Sequence, residues 1–241
     1  SIPSTVGSRQ GCSLGSFLFC LALQKTLNTV KSHHPDVTVL AYADDVTLVG
    51  RPSKAVAAFQ EYRELYERNM HGELRPEKCV CYAPGLTGRG EDWLRSDEVG
   101  LPAPIPINYS GIQLLGAPVG NRLFVYQALA SKCQEVVDEC QLTARFTSAQ
   151  LQLLLVQKST VHRLTHLLRT IPMEEDHELS LRPPLRSVDH ALRKVVDNSA
   201  FYPVSDRGWE LAQRSLAVGG LGLAGPLDRA DEAFVALSLI H

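Results

Sequence analysis

The sequence predicts an α+β fold: a split βαβ sheet lacking its first strand, followed by a helical region. Three observations carry this. Two β-prone apolar runs, Val37–Ala41 and Val46–Val49, flank Tyr42-Ala43-Asp44-Asp45 and read as the strands of a tight hairpin. A helical period lies on either side of that hairpin and a short β-prone run comes after it, so the order is helix, hairpin, helix, strand. Beyond about residue 120 the apolar residues recur at helical spacing.

The first helix spans Leu14 to about Lys31, with Leu14, Phe17, Leu18, Leu21, Ala22 and Leu27 at its apolar positions. The second runs from about Ser53 to Met70. It is apolar at Val56, Phe59, Tyr62, Leu65 and Tyr66, polar at Glu61, Glu64, Glu67 and Arg68, and Gly72 is its expected stop. Cys79–Tyr82 reads as a short strand. Residues 84–106 are rich in Gly and Pro, have no period, and read as a loop or insertion. A hairpin is expected at about 107–120, and helices at about 124–140, 148–170 and 185–198. Thr147-x-x-Gln150 supplies a capping-box start for the middle one. On that helix Lys158, His162, His166 and Arg169 recur on one face, with Leu151, Leu154, Leu155 and Leu168 contributing to the other. The basic stripe suits a nucleic-acid groove and suits a solvated face equally well. No glutamate follows His162, which removes the zinc reading of His162-x-x-x-His166.

The chemistry concentrates at the first hairpin. Neighbouring Cα atoms are about 3.8 Å apart, so the carboxylates of Asp44 and Asp45 repel unless a divalent cation screens them. Mg²⁺ is held by one or two carboxylates plus substrate phosphate oxygens, which is the chemistry of nucleotide transfer. An Asp-Asp pair in a turn is by itself a common surface feature. Upstream, Gly7 and Gly11 bracket Arg9 and Gln10: glycine permits close backbone approach, and the polar pair reaches base, ribose or phosphate edges.

Read together, these segments carry a resemblance. Gly-x-Arg-Gln-Gly-Cys-x-Leu-x-x-x-Leu-Phe from Gly7, followed about thirty residues later by Ala41-Tyr-Ala-Asp-Asp45, resembles the palm of reverse transcriptases, most closely those of non-LTR (LINE-type) retrotransposons. Leu74-Arg-Pro-Glu-Lys78-Cys79 and Tyr109-Ser-Gly-Ile-Gln-Leu-Leu115-Gly116-Ala-Pro118-Val-Gly120 look like the family's lysine motif and primer-grip hairpin, in the family's order. The resemblance implies a partial, ferredoxin-like polymerase palm over 1–120, a helical thumb over 121–200 and a connector segment over 201–241. It implies RNA-templated extension of a DNA 3′-hydroxyl from dNTPs, with two Mg²⁺ ions held by Asp44, Asp45 and a further aspartate upstream of this chain. Arg9, Gln10, Gly11 and Tyr42 would contact nucleotide and template, and Lys78 would protonate or neutralise the leaving pyrophosphate. Leu115 and Gly116 would grip the primer, and Lys158 and Arg169 would contact the duplex. For Lys78 the plainer reading is a surface lysine beside a strand.

The chain departs from that family at Ser13, where proline is usual after Gly-Cys, and at Gly15-Ser16, where Ser-Pro is common. It begins at Ser1 inside a motif, with no initiator methionine and no signal peptide, which predicts a piece of a longer protein lacking the fingers and first metal aspartate. No endonuclease, RNase H or zinc knuckle is visible. A different class of reading therefore stands beside the enzyme: a decayed or domesticated remnant that folds, or binds nucleic acid or protein, without polymerising. A viral RNA-dependent RNA polymerase is more distant, since Gly-Asp-Asp is usual where this chain has Ala43-Asp44-Asp45.

Composition constrains rather than identifies. With 44% hydrophobic and 21% charged residues the 241-residue chain is ordinary globular material. A net charge of −2 does not advertise nucleic-acid binding, but from Gln141 to Ile171 there are Arg145, Lys158, Arg163 and Arg169 and no acid. The six cysteines lack zinc spacing and read as reduced, mostly buried thiols. No apolar stretch reaches membrane-span length, and the expected location is intracellular and nuclear. Gly220-Leu-Gly222-Leu-Ala-Gly225 formally matches a dinucleotide fingerprint, but the chain ends before the required βαβ unit and acid. The run instead resembles a segment downstream of the polymerase in related retroelement proteins.

Overall fold

The computed structural model describes residues 12–86, 90–173 and 179–238. These fall into two compact units that divide between Tyr109 and Ser110. The fold is α+β, with short two-stranded sheets among the helices.

In the first unit, helix α1 (Gly15–His33) precedes strands β1 (Thr38–Tyr42) and β2 (Asp45–Val49) and helix α2 (Pro52–Met70). α1 buries Leu23, Thr26 and Val30 against α2, where Ala58 and Tyr62 are buried in turn. Apolar residues at Leu14, Phe17, Leu18 and Leu21 lie on the exposed side of α1. The one polar residue in its buried face is satisfied, since Asn69 donates to the Thr26 hydroxyl at 3.0 Å. At the far end of α1, Glu61 is held by His33 Nδ1 at 2.6 Å and His34 Nε2 at 2.7 Å. α2 ends with His71 in the left-handed region (φ 52), so the stop comes one residue before the expected Gly72.

The expected single sheet is distributed over separate ladders. Among the described residues β1 and β2 pair only with each other, and β3 (Cys81–Tyr82) pairs in parallel with β4 (Ile107–Asn108). Between β3 and β4 the segment expected as loop is packed structure. It contains helix α3 (Gly90–Arg95), and Leu94, Val99, Leu101 and Ile105 are buried with Val56 and Ala83. Arg95 organises this segment by donating to the carbonyls of Pro102, Ala103 and Ile105 at 3.1, 3.1 and 3.2 Å. A six-residue helix is too short to show a period, which is why the composition alone read as loop.

The second unit opens with the hairpin β5 (Gly111–Leu114) and β6 (Ala117–Gly120), then helix α4 (Arg122–Thr143), capped by Asn121, whose side chain accepts from the Phe124 amide at 2.9 Å. Its core joins Leu129, Cys133, Val136 and Cys140 of α4 to Leu185, Val188, Leu192, Val195 and Val196 of helix α7 (Arg182–Ala200). Each such aliphatic side chain contributes roughly 1.5–3 kcal/mol on full burial.

The expected continuous helix over 148–170 is broken. Helix α5 (Ala149–Lys158) is followed by a 3₁₀ turn at Thr160–His162 and helix α6 (Thr165–Thr170). The break falls at Ser159-Thr160-Val161, poor helix formers whose last two members turn into the core at 2% and 4% exposure. α5 is capped by Ser148, which accepts from the Leu151 amide at 3.3 Å, so the start lies one residue beyond the expected Thr147. Its buried positions are Gln152 and Val156, while Leu151 and Leu154 are exposed.

Helix α8 (Asp206–Gln213) and helix α9 (Pro226–Ser238) complete the unit. The glycine-rich run between them follows a 3₁₀ turn at Leu216–Val218, not a strand, and folds back so that the Leu221 and Leu223 amides reach the Ala212 carbonyl. Gly225 passes so close to α7 that a Cβ there would lie 1.9 Å from Asp189 Oδ1. All six cysteines are free: Cys133 and Cys140 are buried, Cys79 and Cys81 half-buried, and Cys12 and Cys20 exposed, so fewer thiols are buried than expected.

Candidate functional site

The first hairpin turns in two residues, Ala43 and Asp44, because Tyr42 pairs directly with Asp45. Ala43 has φ 51, while Asp44 stays out of the left-handed region. Positive φ at the first central position alone is the pattern of a type II′ turn, where glycine is usual, and an L-residue there costs roughly 1–2 kcal/mol. Strain of this kind at a hairpin tip is a common mark of a functional position. Side chains alternate along the ribbon, so Val39, Val46 and Leu48 face the core and Leu40, Tyr42, Asp45 and Thr47 share the outer face. Tyr42 is 70% exposed, and both carboxylates are exposed without a hydrogen bond or ion pair among the described residues.

Two hard, unpartnered oxygen ligands suit Mg²⁺, which needs only one or two carboxylates alongside substrate oxygens. Among the described residues there is no group of three or more His, Cys, Asp or Glu placed to hold a metal. The hairpin thus presents two adjacent carboxylates whose chemistry suits a divalent cation.

Of the other expected site residues, Lys78 closes a 3₁₀ turn at Pro76–Lys78, exposed and without an ion pair among the described residues. Arg9, Gln10 and Gly11 lie outside the described residues. Leu115 and Gly116 form the two-residue turn of β5–β6, with φ 49 and 80, both positive as a type I′ turn demands. Leu is an unusual residue for the first of these positions, and it is held there: His166 Nε2 donates to the Leu115 carbonyl at 3.0 Å. That contact revises the basic stripe. Lys158 ends α5, His162 lies in the 3₁₀ turn, and His166 and Arg169 belong to α6, so no single helix aligns the four. Lys158 and Arg169 are both exposed. The role of His166 was invisible in the sequence, because its partner lies 51 residues away.

Comparison with known proteins bears on the first unit. Residues 1–119 match the family model for reverse transcriptase (RNA-dependent DNA polymerase). The reverse transcriptase match covers just under half of the chain, includes the carboxylate hairpin and Lys78, and ends within β6. The family is that of RNA-directed DNA polymerases, which handle nucleic-acid template and primer. Comparison with curated proteins and with solved structures gave no match. Among the described residues no helix is long and apolar enough to cross a membrane.

Proposed function

We propose that this chain carries the palm and thumb of a non-LTR retrotransposon reverse transcriptase, which extends a DNA 3′-hydroxyl on an RNA template with dNTPs. The observation that carries the reading is the strained hairpin tip presenting Asp44 and Asp45, without partners among the described residues, inside the reverse transcriptase match. In this reading 1–120 is the palm, 121–200 the thumb and 201–241 a connector.

Asp44 and Asp45 would hold Mg²⁺, together with a third carboxylate from outside the described residues, and the bound cations would lower the cost of deprotonating the 3′-hydroxyl and of releasing pyrophosphate. Tyr42, on the same ribbon face as Asp45, places its ring under the primer end. Arg9, Gln10 and Gly11 line the template and incoming nucleotide. Lys78 gives a proton or a positive charge to the leaving pyrophosphate. The Leu115–Gly116 turn, fixed by His166, grips the primer, and Lys158 and Arg169 contact duplex phosphates. In this reading the protein acts in the nucleus.

A second reading, a folded remnant that binds without polymerising, draws on the lack of a third carboxylate near the hairpin among the described residues. Primer extension on an RNA template with Mg²⁺ separates the two. The protein encoded by the whole gene should extend the primer, and Asp44→Asn should lower the rate by about 10²-fold or more, a loss typical of removing a central electrostatic group. Residues 1–241 alone should not extend it. Extension that survives Asp44→Asn overturns the site, and inactivity of a whole protein with all three aspartates favours the remnant.

A further inference from the structure

In the second unit a cleft of about 740 Å³ lies between the α4–α5 connection and the C-terminal end of α7. Three aromatic rings stand around it with large exposures: Phe146 47%, Phe201 86% and Tyr202 66%. They make no ring contact with one another among the described residues, so none is stacked on another ring. Phe201 sits at φ 61, a conformation that bulky residues avoid, and its amide is tied to the Asn198 carbonyl at 3.2 Å. Phe201 is the residue that ends α7 in the left-handed conformation, where glycine or asparagine is usual, so the helix stop carries a large exposed ring to the rim of the cleft.

The cleft is built rather than loose. Gln152, 5% exposed, donates to the carbonyls of Ala144 and Phe146 and accepts the Ser199 hydroxyl at 2.8 Å, which fixes the backbone carrying Phe146. On the other wall Asp197 accepts the Val204 amide at 2.7 Å and Arg193 donates to the Val204 carbonyl at 2.8 Å, which fixes the segment carrying Phe201 and Tyr202. The Asn198 amide and Thr147 hydroxyl, both in the lining, have no partner among the described residues. Two exposed cations adjoin lining residues in the chain, Arg145 next to Phe146 and Lys194 one helical turn before Asn198, and neither is in an ion pair among the described residues. Asp197 is the one acid in the lining, and it is already engaged by a backbone amide.

We propose that this cleft binds an unpaired base of single-stranded nucleic acid. Rings with free faces recognise bases that have left a stack, whereas duplex bases present only their edges. An amide and a hydroxyl suit a base edge, and flanking cations suit its phosphates, a set that an apolar peptide would leave unused. The proposal rests on the chain being a nucleic-acid protein, and it assigns to the second unit a single-strand site separate from the carboxylate hairpin.

The test is fluorescence anisotropy with a labelled RNA of about 12 nucleotides, compared with an RNA–DNA primer–template duplex. Phe201→Ala and Tyr202→Ala should each weaken single-strand binding about tenfold, the loss expected for one stacked base, and leave duplex binding within about twofold. Thiouridine placed in the same RNA should crosslink to the peptide carrying Phe201 and Tyr202. Thermal unfolding checks that the variants fold, and Asn198→Ala, an exposed substitution, carries the test if Phe201→Ala does not. Unchanged single-strand affinity, equal loss for both nucleic acids, or crosslinks confined to other peptides overturns the proposal. Duplex binding without single-strand binding rejects the cleft and leaves the polymerase reading intact, which primer extension with Asp44→Asn tests separately.

Discussion

Above neutral pH the contact between α7 and the start of α9 should loosen, because Asp189 is buried where its charge is poorly tolerated. Burial pushes its carboxyl up from 3.8 to about 7, the charge of Asp228 adds to this, and the Leu227 amide and Arg229 offset only part. Its Oδ1 has no hydrogen-bond partner among the described residues, and besides Asp228 and Arg229 of α9 the carboxyl senses the Cys133 thiol of α4. The folded value is raised above the unfolded one, so Asp189 costs no stability below about 4, costs more as pH rises, and costs its full amount above about 7. The ceiling on the loss is roughly 4 kcal/mol, and solvent screening of a half-buried group brings it to about 2 kcal/mol. Urea unfolding followed by Trp209 fluorescence, in a Trp93→Phe background, should therefore show lower stability at pH 8 than at pH 5. Asp189→Asn keeps an acceptor for the Leu227 amide and removes the charge, so it should flatten that difference. Gly225→Ala drives a methyl group to 1.9 Å from Oδ1 and should destabilise by about 1–3 kcal/mol as an overpacked contact. Parallel pH profiles for Asp189→Asn and the parent protein would refute the reasoning.

Glu61 should give the opposite sign in the first unit. Burial raises its value, but the hydrogen bonds and charges of His33 and His34 outweigh this and hold it below the ordinary 4.5, so its stabilisation is present above that value and lost on acidification. Acid titration of Glu61→Gln, followed by circular dichroism, should show a shallower loss of α1–α2 structure than the parent. Leu115→Gly relieves the left-handed strain at a residue 50% exposed, and should raise the second unit's stability by roughly 1 kcal/mol, a shift of about 2–4 °C in a thermal melt. A fall instead would show that the leucine side chain packs more usefully than its exposure suggests.

Where structure follows local pattern, the sequence was legible. α7 repeats its buried residues at 185, 188, 192 and 195–196, and the hairpin alternates core and outer residues around a polar tip. Pattern fails where distant groups decide. Arg95 organises 102–105 through carbonyls that no propensity reveals, and the break after Lys158 follows from Thr160 and Val161 entering the core. Asp189 and Gly225 meet only once α9 has docked. The same division holds at the candidate site. Asp44, Asp45, Leu115 and Gly116 stand out as motifs, and the structure places Asp44, Leu115 and Gly116 in hairpin turns and Asp45 beside one. Phe146, Phe201 and Tyr202 share no period, and the only trace of them in sequence is an aromatic pair before proline at the end of a predicted helix.

The graded burial of the thiols gives this protein an internal chemical clock. Burial pushes Cys133 and Cys140 up to about 12, so neither carries appreciable thiolate at neutral pH while α4 stays packed, whereas Cys12 and Cys20 meet solvent directly. An alkylating reagent will mark the two exposed positions at once and reach the α4 pair only through opening of the second unit. Mass spectrometry of the modified peptides then times that opening molecule by molecule, with no substitution or added label.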